Sequence, residues 1–321
     1  MHDSNDCSLY QNLQEKVRNR GSVPLFQENS GTDPLFCKRK KKMKYSGKAL
    51  KLFFIMVICL SAIAEGVIIA GGMEIFYLIL MWIPAISAIV VGNMILKEKS
   101  DEEHKEKLHT LLGIKKSRLK YILAGILIPF VYLLIPYIIY WNMHPENFGY
   151  TGVAFGVVLK DLLPVTVIGI FAGIPSAIGE EIGWRGFMLP ALRERFGDVK
   201  TLFVTGLIWA AWHLPLLAFG DYMEGAPVWF KLPAFVLCIV PVGIITGYLT
   251  YKSGSIWPAA FLHGAHNNFD QMVFDVITIG DDKKYFVSET GIFTIICAWI
   301  IAIVIMIFMM RKKLSADLQE T

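Results

Sequence analysis

Residues 50–97 read LKLFFIMVICLSAIAEGVIIAGGMEIFYLILMWIPAISAIVVGNMILK. They form two apolar runs, 50–72 and 75–96, joined tightly through Gly71-Gly72. Each run matches the ~20 residues a helix needs to cross the hydrocarbon of a bilayer. Working outward, six more runs of this kind follow at 119–141, 162–181, 201–219, 231–251, 256–275 and 290–310. The expectation is an all-α, polytopic membrane protein of about eight transmembrane helices. The runs at 162–181 and 256–275 are the least uniformly apolar, and both contain ionisable residues. Composition agrees. The chain has 321 residues, 55% of them hydrophobic and 18% charged, with a mean hydropathy of +0.50. Soluble domains carry about 25% charged residues, so the two soluble domains that length alone would suggest give way to one membrane domain. Disordered, collagenous and disulfide-scaffold classes fail on the same figures. Cys7, Cys37, Cys59, Cys238 and Cys297 are widely spaced, without a CxxC pair, and read as free thiols or small apolar residues.

Polar sequence frames the apolar part. Residues 1–46 show no apolar periodicity and read as a disordered cytoplasmic tail, 47–311 as the membrane domain and 312–321 as a short C-terminal tail. No signal peptide is visible, because the first apolar run begins near Leu50. The cluster Lys38-Arg39-Lys40-Lys41-Lys42-Met43-Lys44 precedes a span, where it serves as an anchor to anionic headgroups. The net charge of +4 follows the same pattern, since the basic residues sit at the ends of apolar runs. That is membrane orientation and not a nucleic-acid surface. With the N terminus in the cytoplasm and eight alternating spans, 27 of the 31 Lys and Arg fall on the cytoplasmic side. Lys160, Lys231, Lys283 and Lys284 fall on the other. Both termini are therefore expected in the cytoplasm of a cell-membrane protein.

An ionisable side chain inside a span costs about 2.5–3.5 kcal/mol on insertion scales, which makes it a functional candidate by default. Three groups stand out: Glu180-Glu181-Ile182-Gly183-Trp184-Arg185, Trp209-Ala210-Ala211-Trp212-His213 and His263-Gly264-Ala265-His266-Asn267. Glu181 and Arg185 share a helix face, with the acid on the N-terminal side, which favours an ion pair. Glu180 lies about 100° around the helix from Glu181 and is left to point elsewhere. His263 and Asn267 also share a face, and Trp209, one turn before His213, can wall its ring. A carboxylate in a water-poor pocket becomes a general base near neutral pH, and two hydrogen-bond donors on one face suit an oxyanion. Together the parts describe a water-activating hydrolase that needs no Ser or Cys nucleophile. Taken singly, each group has a bland reading as a solvated helix end or an interhelical hydrogen bond. The weight lies in all three occurring in separate spans and in this order.

In these motifs the chain resembles the CPBP family of intramembrane proteases, the CAAX protease and bacteriocin-processing (Abi) family, which includes the type II CAAX prenyl endopeptidases. That family's motifs are EExxxR, an aromatic residue four before a His, and HxxxN/D. The strings GEEIGWRGFMLP and WHLPL also look like bacterial members. The resemblance covers about residues 120–275, with Trp209 where some members have Phe. It implies an intramembrane endopeptidase acting on a membrane-associated protein or peptide. By resemblance, Glu180 activates the water, Glu181 and Arg185 are its supporting pair, and His213 helps to hold the water. His263 and Asn267 stabilise the tetrahedral intermediate. His266 and Asn268 are expected to support or pack.

Metal use divides the reading. Glu180, His213 and His263 could furnish three zinc ligands, but the HExxH signature of zinc proteases is absent. A cofactor-free glutamate mechanism is favoured, with the zinc-dependent version as the alternative. Serine and aspartyl intramembrane proteases fit worse. There is no GxSG, and Gly280-Asp281 lacks the earlier Gly of GxGD. A transporter is the competing class, since Pro84, Pro129, Pro136, Pro164 and Pro175 could break helices. A non-catalytic immunity or binding protein is the third.

Overall fold

The computed structural model describes residues 44–98, 107–223 and 225–317. The tail proposed for 1–46 lies, but for its last residues, outside them. Tyr45 is not tail-like. Its side chain is buried, its ring meets Phe187 edge-on at 5.5 Å, and the packed unit begins at Tyr45. Ser46 then caps the first helix by accepting from the Ala49 N–H at 3.1 Å, which satisfies one of the unpaired donors of a first turn.

The long helices are α1 (Gly47–Ile69), α2 (Ile75–Glu98), α4 (Leu119–Met143), α5 (Phe155–Glu181), α7 (Asp198–Phe219), α8 (Val228–Ser253) and α11 (Ile292–Asp317). Shorter ones are α3 (Leu108–Leu111), α6 (Leu189–Phe196), α9 (Trp257–Asn267) and α10 (Lys283–Phe286). Among the described residues, seven helical stretches are long and apolar enough to cross a membrane. The chain is a multi-pass, all-α membrane protein, with seven such stretches where the sequence suggests about eight. The stretch that differs is 256–275. It is helical, as α9 and a π-helical continuation Asn268–Phe274, but it is too polar to face lipid. It lies against α4, α5 and α8, and Ala259, Ala260, Leu262, His263, Gly264, Ala265 and His266 are all buried. A helix enclosed by other helices need not be apolar, because its polar groups find protein partners instead of hydrocarbon.

The run read as ending at 181 does not end there. α5 continues through a π-helical segment, Ile182–Met188, into α6. The continuous helical stretch runs Phe155–Phe196, 42 residues in all, so Glu180 and Glu181 lie within it and not at a solvated helix end. Pro84, Pro129, Pro136, Pro164 and Pro175 sit inside unbroken helices. The discontinuous spans of a transporter are therefore absent among the described residues. At the C terminus, α11 passes the expected limit at 311 and reaches Asp317.

Outward faces are apolar: Ile55, Ile58, Ile63, Ile168 and Phe171 are exposed, as lipid-facing side chains must be. Inside, the Phe53 ring of α1 lies tilted against Phe187 at 4.8 Å and meets Trp184 edge-on at 6.1 Å. This joins the first helix to the turn that follows the two glutamates. Cys238 is buried, and Cys59 and Cys297 are also free thiols.

Candidate active site

Consecutive residues on a helix point about 100° apart, and the two glutamates part accordingly. Both are buried, at 2% exposure for Glu180 and 0% for Glu181. Glu180 Oε2 accepts from the indole N–H of Trp209 at 2.8 Å and from that of Trp184 at 3.3 Å. Glu181 Oε1 accepts from the Arg185 guanidinium at 2.8 Å and from His263 Nδ1 at 3.1 Å, while its Oε2 has no partner. The guanidinium also lies over the Trp209 ring, 4.1 Å from its centroid, within cation–π reach. Trp209 thus does more than wall a histidine: it holds Glu180 from one edge and carries the charge of Arg185 on its face.

A cavity of about 160 Å³ opens beside this pair. Glu180, Trp209, His213, His263 and Asn267 line it, whereas Glu181 and Arg185 stand behind. All six sequence-selected residues are brought together: four face the cavity and two position His263. What each histidine can do follows from the partner of its Nδ1. His213 Nδ1 lies 2.8 Å from the Trp209 carbonyl. A carbonyl only accepts, so the proton sits on Nδ1, and in the neutral ring Nε2 is an acceptor. His263 Nδ1 faces an ionised carboxylate, which also only accepts. Its Nε2 can donate only when the ring is imidazolium.

Sequence reasoning missed several lining groups. His266 is held between the Tyr132 hydroxyl at 2.7 Å and Glu289 Oε1 at 2.9 Å. The Tyr222 hydroxyl donates to the other Glu289 oxygen at 3.0 Å. His266, Glu289 and Tyr222 all line the cavity, so His266 is part of a wall and not mere packing. Burial pushes the Glu289 carboxyl up, but the hydrogen bond and charge of His266 and the Tyr222 hydroxyl outweigh it and hold it below the usual carboxylate range. Asn268 does pack: it donates to the Thr166 carbonyl at 3.2 Å, in space that only Gly169 leaves open. Glu65 of α1 completes the lining. An acidic residue before the last span and another inside the first were the available signals for Glu289 and Glu65.

Among the described residues no three His, Cys, Asp or Glu side chains are grouped closely enough to hold a metal ion, although the hydrogen bonds of Glu180, His213 and His263 leave Oε1 and both Nε2 atoms open.

A buried carboxylate facing a histidine and two further polar groups across a small cavity, inside a bundle of lipid-facing helices, is the equipment of a membrane-embedded hydrolase. Residues 160–269 match a family model described as type II CAAX prenyl endopeptidase Rce1-like. The chain is also 28% identical over 240 residues to CAAX prenyl protease 2 of Methanococcus maripaludis, covering 70% of this chain and 81% of that one. Motifs, family model and relative point the same way: the chain is similar to CAAX prenyl endopeptidases, most specifically over residues 160–269.

Proposed function

We propose that the protein cleaves a membrane-associated protein or peptide by direct attack of water activated by Glu180, without a metal. The observation that carries this reading is the placement of Glu180 and His213 on the same cavity as His263 and Asn267, with both indole bonds to Glu180 falling on Oε2. Oε1 and His213 Nε2 are left to hold a water between them. Glu180 takes a proton as the water oxygen bonds to the scissile carbonyl carbon. The carbonyl oxygen becomes an oxyanion and meets N–H donors from imidazolium His263 and from Asn267, the arrangement that stabilises such charge most. Collapse breaks the C–N bond, and the proton on Glu180 passes to the departing amine. Glu181, held by Arg185, fixes the His263 ring.

Access from the bilayer supports a membrane-embedded substrate. A groove of about 610 Å³ runs along Ile168, Gly173 and Ser176 of α5 and shares Met81, Asn267 and Gln271 with the cavity. The relative is named as a prenyl protease. Here the substrate class is a polypeptide reached from lipid, whether or not it is prenylated. Both termini are placed in the cytoplasm of a cell-membrane protein on the distribution of Lys and Arg.

The test compares membrane proteomes of cells expressing wild type or Glu180→Gln. New C termini present with wild type should vanish with the variant, and purified wild type should keep its activity in chelator. Stoichiometric bound zinc that is lost in His213→Ala would overturn the metal-free mechanism.

A further inference from the structure

α1 presents one face to the protein: Leu50, Phe53, Val57, Ser61, Ala64, Glu65 and Ile68 are its buried residues, at helical spacing. Ser61 and Glu65 are one turn apart on that face. The Ser61 hydroxyl accepts from the Trp212 indole at 2.8 Å, next to His213, and this seats Glu65 against the catalytic cavity, which it lines. Glu65 is 6% exposed, and its Oε1 is buried with no hydrogen-bond partner. A buried carboxylate without a partner is strongly unfavourable. Leu80 and Leu216, which line the cavity with it, are apolar and offer none.

The cavity is lined by three carboxylates, Glu65, Glu180 and Glu289, and by no Lys or Arg. The nearby cations are committed elsewhere. Arg185 is bound to Glu181, and Lys231 reaches the Tyr222 carbonyl at 3.3 Å, on the Glu289 side. Glu289 is engaged by His266 and Tyr222, so Glu65 is the acid left open. It also lies outside residues 160–269, the part that matches the family model.

We infer that Glu65 forms a substrate subsite for a basic side chain, a Lys or Arg close to the bond that is cleaved. This rests on the proteolytic reading above and names the kind of polypeptide it acts on. A charge-assisted bond to a carboxylate in such a site contributes about 1.5–3 kcal/mol, which corresponds to at least about tenfold in selectivity.

The test uses full-length protein in lipid nanodiscs and helical peptides identical except for Lys, Gln or Glu at each position of a variable window. Wild type should cleave a Lys peptide at least about tenfold faster in kcat/KM than the Gln peptide, and the Glu peptide slowest. Glu65→Gln should lose the preference for Lys, its ratio of kcat/KM for the Lys and Gln peptides falling to about one, and Glu65→Lys should reverse it. A Lys preference unchanged in Glu65→Gln would overturn the subsite, as would loss of Gln-peptide cleavage in a folded Glu65→Gln, which marks a structural role. Binding separates this inference from the hydrolase reading. Glu180→Gln protein should bind the Lys peptide about tenfold tighter than the Glu peptide, and the added Glu65→Gln should abolish the difference. If wild type cleaves none of the peptides but this binding difference is found, the subsite stands and the proteolytic mechanism falls. If the binding difference is missing, the subsite falls.

Discussion

Glu180 and Glu181 are the same side chain one position apart, and only their partners tell them apart. Glu181 is tied to Arg185 and His263, and Glu180 to two indoles with one oxygen to spare. Glu180→Gln should keep the fold and cost the ~10²–10⁴-fold typical of losing one acid–base group. Glu181→Gln should instead keep partial activity and lower the melting temperature. If Glu181→Gln is inactive but fully stable while Glu180→Gln turns over, the roles are exchanged. Arg185→Ala breaks a buried pair, at a cost of about 3–5 kcal/mol, and should lose folded yield. Arg185→Lys should restore yield only in part, because an ammonium cannot lie flat on Trp209 while reaching Glu181. Thermal melts in detergent decide both. Trp209→Phe removes the shorter indole bond to Glu180, and turnover should fall about tenfold or more. Trp184→Phe, which loses only the 3.3 Å contact, should cost less. The Glu181–Arg185 pair was legible because helical spacing fixes it. Trp184 sits at the same spacing from Glu180, but an indole in an apolar run reads as packing, and only the fold shows which way its N–H points.

Among the elements, α5 with its π continuation does most to build the site, and glycines set its position. A Cβ on Gly183 would lie 2.3 Å from the Pro84 Cβ and 2.6 Å from its backbone carbon. One on Gly179 would lie 2.6 Å from the Met81 carbonyl oxygen, and one on Gly186 would lie 2.5 Å from that of Leu112. α2 and the turn that ends α3 therefore rest directly on the backbone that bears the glutamates, the close approach that small residues permit between membrane helices. Gly183→Ala should push α2 away, cost at least the ~1–3 kcal/mol of an overpacked core, and disturb Glu180 and Arg185 together. Gly173→Ala makes a useful contrast. Its Cβ would meet Gly264 at 3.5 Å, an ordinary contact, so yield and melting temperature should stay near wild type. Equal losses from the two substitutions would show that backbone contact at Pro84 does not set the position of α5. The glycines were visible within the motif string, but their purpose was not, because the surface each one meets belongs to a distant part of the chain. The π segments after Glu181 and after Asn267 were equally hidden. Such turns recur at functional sites, yet no hydrophobic period announces them.

For the molecule as a whole, the apolar runs were legible to within a few residues because lipid exposure writes itself in composition: Ile55, Ile58 and Ile63 look outward and could be nothing else. What composition misjudged is the interior, where Arg185 counted as a loop charge although it is buried, and where 256–275 looked like an eighth lipid-facing span. Topology turns on that polar helix. With α9, the π segment reaches from Trp257 to Phe274. At about 1.5 Å per residue this is close to the ~30 Å of a hydrocarbon core. If it crosses, the chain makes eight passes and its termini share a side; if it only enters and returns, they do not. Dropping Arg185 from the charge count leaves the asymmetry heavily toward the N-terminal side, and this favours a full crossing with both termini cytoplasmic. Asp281, exposed in the segment after the π turn, and Ser315, exposed near the end of α11, lie on either side of the last span and are suited to report it. In a background without native cysteines, Asp281→Cys should react with an impermeant thiol reagent on intact cells, and Ser315→Cys only after permeabilisation. A cysteine placed at Ser46 should behave like Ser315. Agreement of Ser46 with Asp281 would mean that the polar helix turns back inside the bundle and that the charge asymmetry has been misread.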